Sequence, residues 1–181
     1  MAAPRRLIRC GVLIAFCGAP LGACEAARDP GPAASAPASE QGERVKVGVK
    51  GETFRLELAL DDATRFKGLG GRTEIAKDGG MLFVFPYAAK QAFVMRDCPI
   101  AIDIAYLDSA GRVVMMHEMK PEEPRRAGES DYEYDLRLKK YESRHPAQFV
   151  VEVAGGRFRE VGLEVGDVLK FDVQGLKARA R

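Results

Sequence analysis

The chain predicts a mainly β domain, a small antiparallel β-barrel with one or two short helices. Three observations predict it. Apolar and polar residues alternate over short runs, turn-forming residues recur between those runs, and few segments carry helical spacing. Closing many short strands on themselves removes exposed sheet edges, which is why a barrel is the expected arrangement.

The elements follow in order. Val45, Val47 and Val49 form one alternating run, and Phe54, Leu56, Leu58 and Leu60 alternate with Arg55, Glu57 and Ala59 in the next, as half-buried strands do. Asp61 and Asp62 can cap a short helix through Phe66. Met81-Leu-Phe-Val-Phe85 is continuously apolar and meets Pro86, as expected of a strand covered on both faces and ended by proline. Further strands are expected over 92–95, 100–107, 112–119, 148–153 and 168–173, and Asp108-Ser-Ala-Gly111 joins two of them in a hairpin. A turn or two of helix fits 156–161, before Gly162. Over 131–144, Tyr132, Tyr134, Leu136 and Leu138 have period two and read as strand, although Tyr134, Leu138 and Tyr141 would also line a helix face.

The domain so described is residues 44–181, 138 residues, a length that suits one core. Residues 1–23 have the parts of an export signal: Arg5, Arg6 and Arg9, an apolar run from Cys10 to Phe16 too short to span a bilayer, and small residues before Cys24. Leu21-Gly-Ala-Cys24 resembles a bacterial lipoprotein signal, in which cleavage precedes a cysteine that becomes acylated. Acyl chains on Cys24 would anchor the chain firmly, since each buried methylene contributes roughly 0.8 kcal/mol. Glu25 after the cysteine resembles lipoproteins sent to the outer membrane, so the expected location is the bacterial envelope, lipid-anchored and facing the periplasm. The plain alternative is an ordinary cleaved signal with a chance cysteine. Residues 25–43 are almost all Ala, Pro, Ser, Gly and charge, with nothing large enough to seed a core. As a tether they reach roughly 25 Å as coil and roughly 60 Å as polyproline.

Loss of residues 1–23 lowers Lys+Arg from 28 to 25 against 26 Asp+Glu, taking the net charge from +2 to −1. A near-neutral chain lacks the concentrated positive field of nonspecific nucleic-acid binding, so no nucleic-acid partner is expected. Of the four cysteines, Cys10 and Cys17 leave with the signal and Cys24 takes lipid, which leaves Cys98 alone, either buried and inert or reactive.

Phe54-Arg-Leu-Glu-Leu-Ala59, Arg65 with Gly68-Leu69 and Arg72, Gly80-Met-Leu-Phe83, Ala92-Phe-Val-Met95, Pro99-Ile-Ala-Ile-Asp-Ile104, Val151-Glu-Val-Ala-Gly155 and Gly166-Asp167 follow in the order and spacing of the DUF192 domain. The resemblance covers nearly all of residues 45–173. It implies a compact, mostly antiparallel β-barrel, often exported, with no established biochemical role. Gly70 stands where the family usually has methionine, and Asp97-Cys98 where it usually has Asn-Thr.

Four residues form the candidate ligand cleft: Arg65, Arg72, Asp97 and Asp103. Asp103 is the outlier of its strand, between Ala101 and Ala105 on the face opposite Ile100, Ile102, Ile104 and Tyr106. The arginines could grip a carboxylate or phosphate by their forked donors. Alternatively Asp103 pairs with Arg65 or Arg72, or caps a loop, and holds the barrel shut. No resident cofactor is expected under either reading.

A second set is sulfur-rich. Alternation puts Met115, His117 and Met119 on one face, and thioether with imidazole is a soft set that selects Cu(I). Met95 followed after twenty-one residues by His117-Glu-Met119 resembles part of the ligand spacing of periplasmic copper chaperones, although the upstream His-Met pair would fall on Phe83-Val84. Strand methionines more often fill cores. A third reading is a thiol- or carboxylate-dependent enzyme, whose thiol form would use Cys98 with His117 or His145 as base and Asp97 or Asp103 to orient it. No nucleophile signature surrounds Cys98, and there is neither a zincin histidine pair nor a phosphate-binding glycine loop. The leading expectation is therefore an envelope module that binds a ligand or a partner, without assigned catalysis.

Overall fold

The computed structural model describes residues 42–181; the export signal, Cys24 and most of the tether lie outside them. Strands β1 (Arg44–Val49), β2 (Glu52–Ala59), β3 (Met81–Ala89), β5 (Ile102–Leu107), β6 (Val113–Met119) and β8 (Ala147–Ala154) form one six-stranded sheet in the order β1-β2-β3-β8-β5-β6. Two further strands, β4 (Ala92–Phe93) and β7 (Tyr141–Glu142), pair antiparallel beside it. All neighbours in the large sheet are antiparallel except β2 and β3, which run parallel. A parallel pair needs a long crossover, supplied by residues 60–80 with helix α1 (Asp62–Lys67).

Among the described residues the expected closed barrel is not found. The sheet is mixed, and its edge strands β1 and β6 do not pair with each other. Instead the segment expected as a strand over 168–173 crosses between them as a strap, bridging Gly48 of β1 through Lys170 and Arg112 through Val168. Asp172 then caps helix α4 (Val173–Lys177), its carboxylate accepting the Gly175 N–H at 2.9 Å, and this cap ends any strand there.

Alternation gives the sheet two covered faces. Phe54, Leu56, Leu82, Val84, Leu107, Phe149, Val151 and Val153 pack on one side with Phe158 of α3 (Arg157–Glu160) and Leu176 of α4. Phe83, Met95, Ile102, Ile104, Tyr106, Met119, Tyr141 and Val150 pack on the other. Burying both faces explains the apolar runs Met81–Phe85 of β3 and Phe149–Val151 of β8. Pro86 does not end β3, because the register with β8 shifts between Val84 and Ala89 and the proline sits in that irregularity.

The expected strand over 131–144 is half overturned. Its first part is helix α2 (Asp131–Arg137), set by a capping box in which Ser130 and Glu133 serve each other's backbone N–H groups. Tyr141–Glu142 is strand, as expected. Among the described residues no helix is long and apolar enough to cross a membrane.

Candidate functional site

A cleft of about 410 Å³ opens on the Tyr106 side of the sheet. Its floor is Phe83 of β3, Ile102 of β5 and Glu152 of β8. One wall is α1 and the turn after it, with Phe66, Gly68 and Leu69; the other is residues 91–98, with Phe93, Met95 and Cys98. The walls are tied together where the Gly71 N–H donates to the Asp97 carbonyl at 2.8 Å. Helix α1 is fixed at its start by Asp61, which accepts the Thr64 N–H at 2.9 Å. Gly68 closes that helix at φ +50°, a left-handed conformation that suits glycine.

Glu152 is the feature that sequence reasoning missed. Strand alternation places it between Ile104 of β5 and Met81 of β3 on the cleft face, only 5 % exposed. Among the described residues its carboxyl has neither a hydrogen-bond nor an ion-pair partner, and desolvation alone pushes it up to about 8. No fully enclosed side-chain polar atom among the described residues lacks a partner, so the Glu152 oxygens face the open space of the cleft. A signal for it existed: a lone acid inside Phe149-Val-Val-Glu-Val153, a strand otherwise apolar on both faces.

The four residues expected to converge do not. Arg65 alone lines the cleft. Its guanidinium donates to the Val84 carbonyl at 2.7 Å, to Asp62 at 2.8 Å and to the Arg181 carbonyl, and lies over the Phe85 ring. Arg72 instead forks onto Glu57 at 2.5 and 3.0 Å, joined by Arg44 at 3.3 Å, and these cations hold the Glu57 carboxyl below its usual range. Asp97, on a left-handed turn at φ +52°, accepts from the Tyr134 hydroxyl at 3.3 Å and so ties this loop to α2. Asp103 faces the opposite side of the sheet. It accepts the Phe158 N–H at 2.9 Å, supplying the cap that Gly156 lacks at the start of α3. Burial raises it more than those backbone donors lower it.

The soft-ligand set is likewise dispersed in role. Met95 lines the cleft and Met119 is fully buried in the apolar cluster behind it. The His117 ring lies edge-on to Tyr106 and Tyr141, its Nε2 2.9 Å from the Glu142 carbonyl oxygen. Cys98 lines the cleft, and its thiol donates to the Arg96 carbonyl at 3.3 Å. Burial, with Glu152 and Asp97 close by, pushes that thiol up to about 11, the reverse of an activated nucleophile.

The family model DUF192, described as "Uncharacterized ACR", matches residues 44–171. The chain belongs to the DUF192 family. Among solved structures, this DUF192 domain is similar to a Sinorhizobium meliloti protein described as a candidate transcription regulator, at 28 % identity and a TM-score of 0.58, over 71 % of this chain and 92 % of that one. It is also similar to a protein of unknown function from Novosphingobium aromaticivorans, at 26 % identity and a TM-score of 0.61, over 76 % and 94 %. Comparison with curated proteins gives no match.

Proposed function

We propose that the chain is an envelope lipoprotein, acylated at Cys24, whose DUF192 domain binds a small apolar molecule in the Glu152 cleft. One observation carries the binding reading: a cleft of about 410 Å³ that joins aromatic and aliphatic lining to the charged Asp62, Arg65, Lys67 and Arg96 and to the buried Glu152 carboxyl. Pockets for small ligands have this size and combine apolar lining with placed polar groups. The anchor is supported by the residues before Cys24. Because the family match begins at residue 44, residues 24–43 are free to serve as spacer.

Binding is tested with the apolar dye N-phenyl-naphthylamine. Saturable uptake of one equivalent, lost in Val94→Trp, which fills the cleft from its wall, is the expected result. Uptake unchanged by that filling would place the dye elsewhere and remove the reading. The anchor is tested separately by labelling cells with an alkynyl fatty acid. Label should enter the chain and be absent from Cys24→Ser.

A further inference from the structure

Six polar or charged side chains are buried among the described residues: Glu57, Asp103, Ser143, Gln148, Glu152 and Arg157. Five are satisfied by protein. Glu57 takes Arg72 and Arg44, and Asp103 takes the Phe158 N–H. Ser143 bonds the Gln91 N–H and the His145 carbonyl, Gln148 bonds the carbonyls of Phe85 and Pro86, and Arg157 holds Glu52, Glu160 and the Lys77 carbonyl. Glu152 is the exception, and it is aimed into the cleft. A fold that partners every other buried polar side chain has left one carboxyl for something that enters from outside.

The chemistry of the floor narrows what that is. A purely hydrocarbon ligand would seal the carboxyl against carbon and leave it unsatisfied, which opposes binding. An anionic ligand would have to hold Glu152 protonated and would gain a single O–H donor from it, whereas a cation can engage both oxygens of the ionised carboxylate. Three cations line the cleft: Arg65 is engaged with Asp62 and two carbonyls and Arg96 with Asp135, so these two neither demand an anion nor bar a cation at full strength, while the exposed Lys67 has no ion-pair partner among the described residues. The aromatic rings accept cations on their faces: Arg65 lies 5.2 Å from the Phe85 centroid and Arg96 lies 5.1 Å from that of Phe66. The titratable groups facing Glu152 from neighbouring elements are Cys98 and Tyr106, and burial raises both, so they stay neutral near pH 7.

Building on the ligand-binding reading, we propose that the cleft receives a primary amine carried on an apolar or aromatic body, with the Glu152 carboxylate as counter-ion. The ammonium offers up to three donors to a carboxylate with none of its own. On binding, Glu152 gives up its proton to solvent and the ammonium keeps its own. The free carboxyl is held mostly protonated at neutral pH, so an amine should bind about tenfold more weakly at pH 7 than well above pH 8.

Calorimetric titration of the full chain carrying Cys24→Ser, which keeps it free of lipid and detergent, uses three probes of one shape: phenylbutylamine, phenylbutanol and phenylbutyrate. The amine should bind at least about tenfold tighter than the other two, because it alone forms a charge-assisted pair with Glu152. It should release close to one proton near pH 7, read from heats in buffers of different ionisation enthalpy. Glu152→Gln should abolish both the preference and the proton release, with an unchanged circular-dichroism spectrum showing that it is folded. Equal affinity for amine and alcohol, or an amine preference that survives Glu152→Gln, overturns the amine assignment while the dye result leaves a binding cleft standing. Failure of all three probes and of the dye removes the assignment and the cleft reading together.

Discussion

Asp103 and Glu152 lie on adjacent antiparallel strands, one register step apart, and point to opposite faces of the sheet. Both carboxyls are buried and both are raised by desolvation, yet among the described residues only Asp103 has a donor. That difference separates a structural acid from one available to a ligand.

Stability should report the Glu152 proton directly. Between the ordinary carboxylate range and about 8, the folded chain holds a proton there that the unfolded chain has released, so stability falls as pH rises through that window. The slope from this group is at most about 1.4 kcal/mol per pH unit and levels off above about pH 8. Urea denaturation of Glu152→Gln should lack this slope and exceed the wild type at about pH 8. Parallel profiles for the two proteins would contradict the buried, unpaired carboxyl.

Asp103→Ala should lower stability by about 1–3 kcal/mol, because the Phe158 N–H loses its acceptor. The loss is read by chemical denaturation. Phenylbutylamine affinity should change little, since Asp103 faces the other side of the sheet.

Cys98 should react with a disulfide reagent near pH 8 about a hundredfold more slowly than a free thiol, as its rise from 9.0 to about 11 reduces the thiolate fraction. Rapid modification of the native chain would revive a nucleophilic role.

Gly80→Ala should be among the costlier substitutions. A Cβ there would stand 2.1 Å from the Glu152 carbonyl oxygen, and the residue sits at φ +143°. Overpacking of this kind costs about 1–3 kcal/mol, with the backbone conformation adding to it. Because the clash falls on the strand carrying Glu152, dye affinity should fall together with the melting temperature.

Much of the sheet was legible in period-two alternation. The β1–β2 pair and the hairpin of β5 and β6 lie close to where alternating residues and the Asp108–Gly111 turn put them. What alternation could not show is direction. The parallel step from β2 to β3 depends on a crossover, and the strap over 168–170 depends on both sheet edges coming within reach of one segment. Helix α2 took second place to a strand because Tyr132, Tyr134, Leu136 and Leu138 have period two, whereas the Ser130–Glu133 cap is a local signal that outweighs period. The expected site failed for a related reason. Arg72, Asp97 and Asp103 found partners in Glu57, Tyr134 and the Phe158 backbone, contacts set by tertiary packing. Glu152 was hidden by its setting in an apolar family motif, where its neighbours read as core.

The most direct test is carbon-detected NMR titration of the Glu152 side-chain carboxyl. In the free chain it should titrate near 8, and saturating phenylbutylamine should bring it to the ionised chemical shift at about pH 7. A carboxyl that titrates in the ordinary range and ignores the amine would contradict the account.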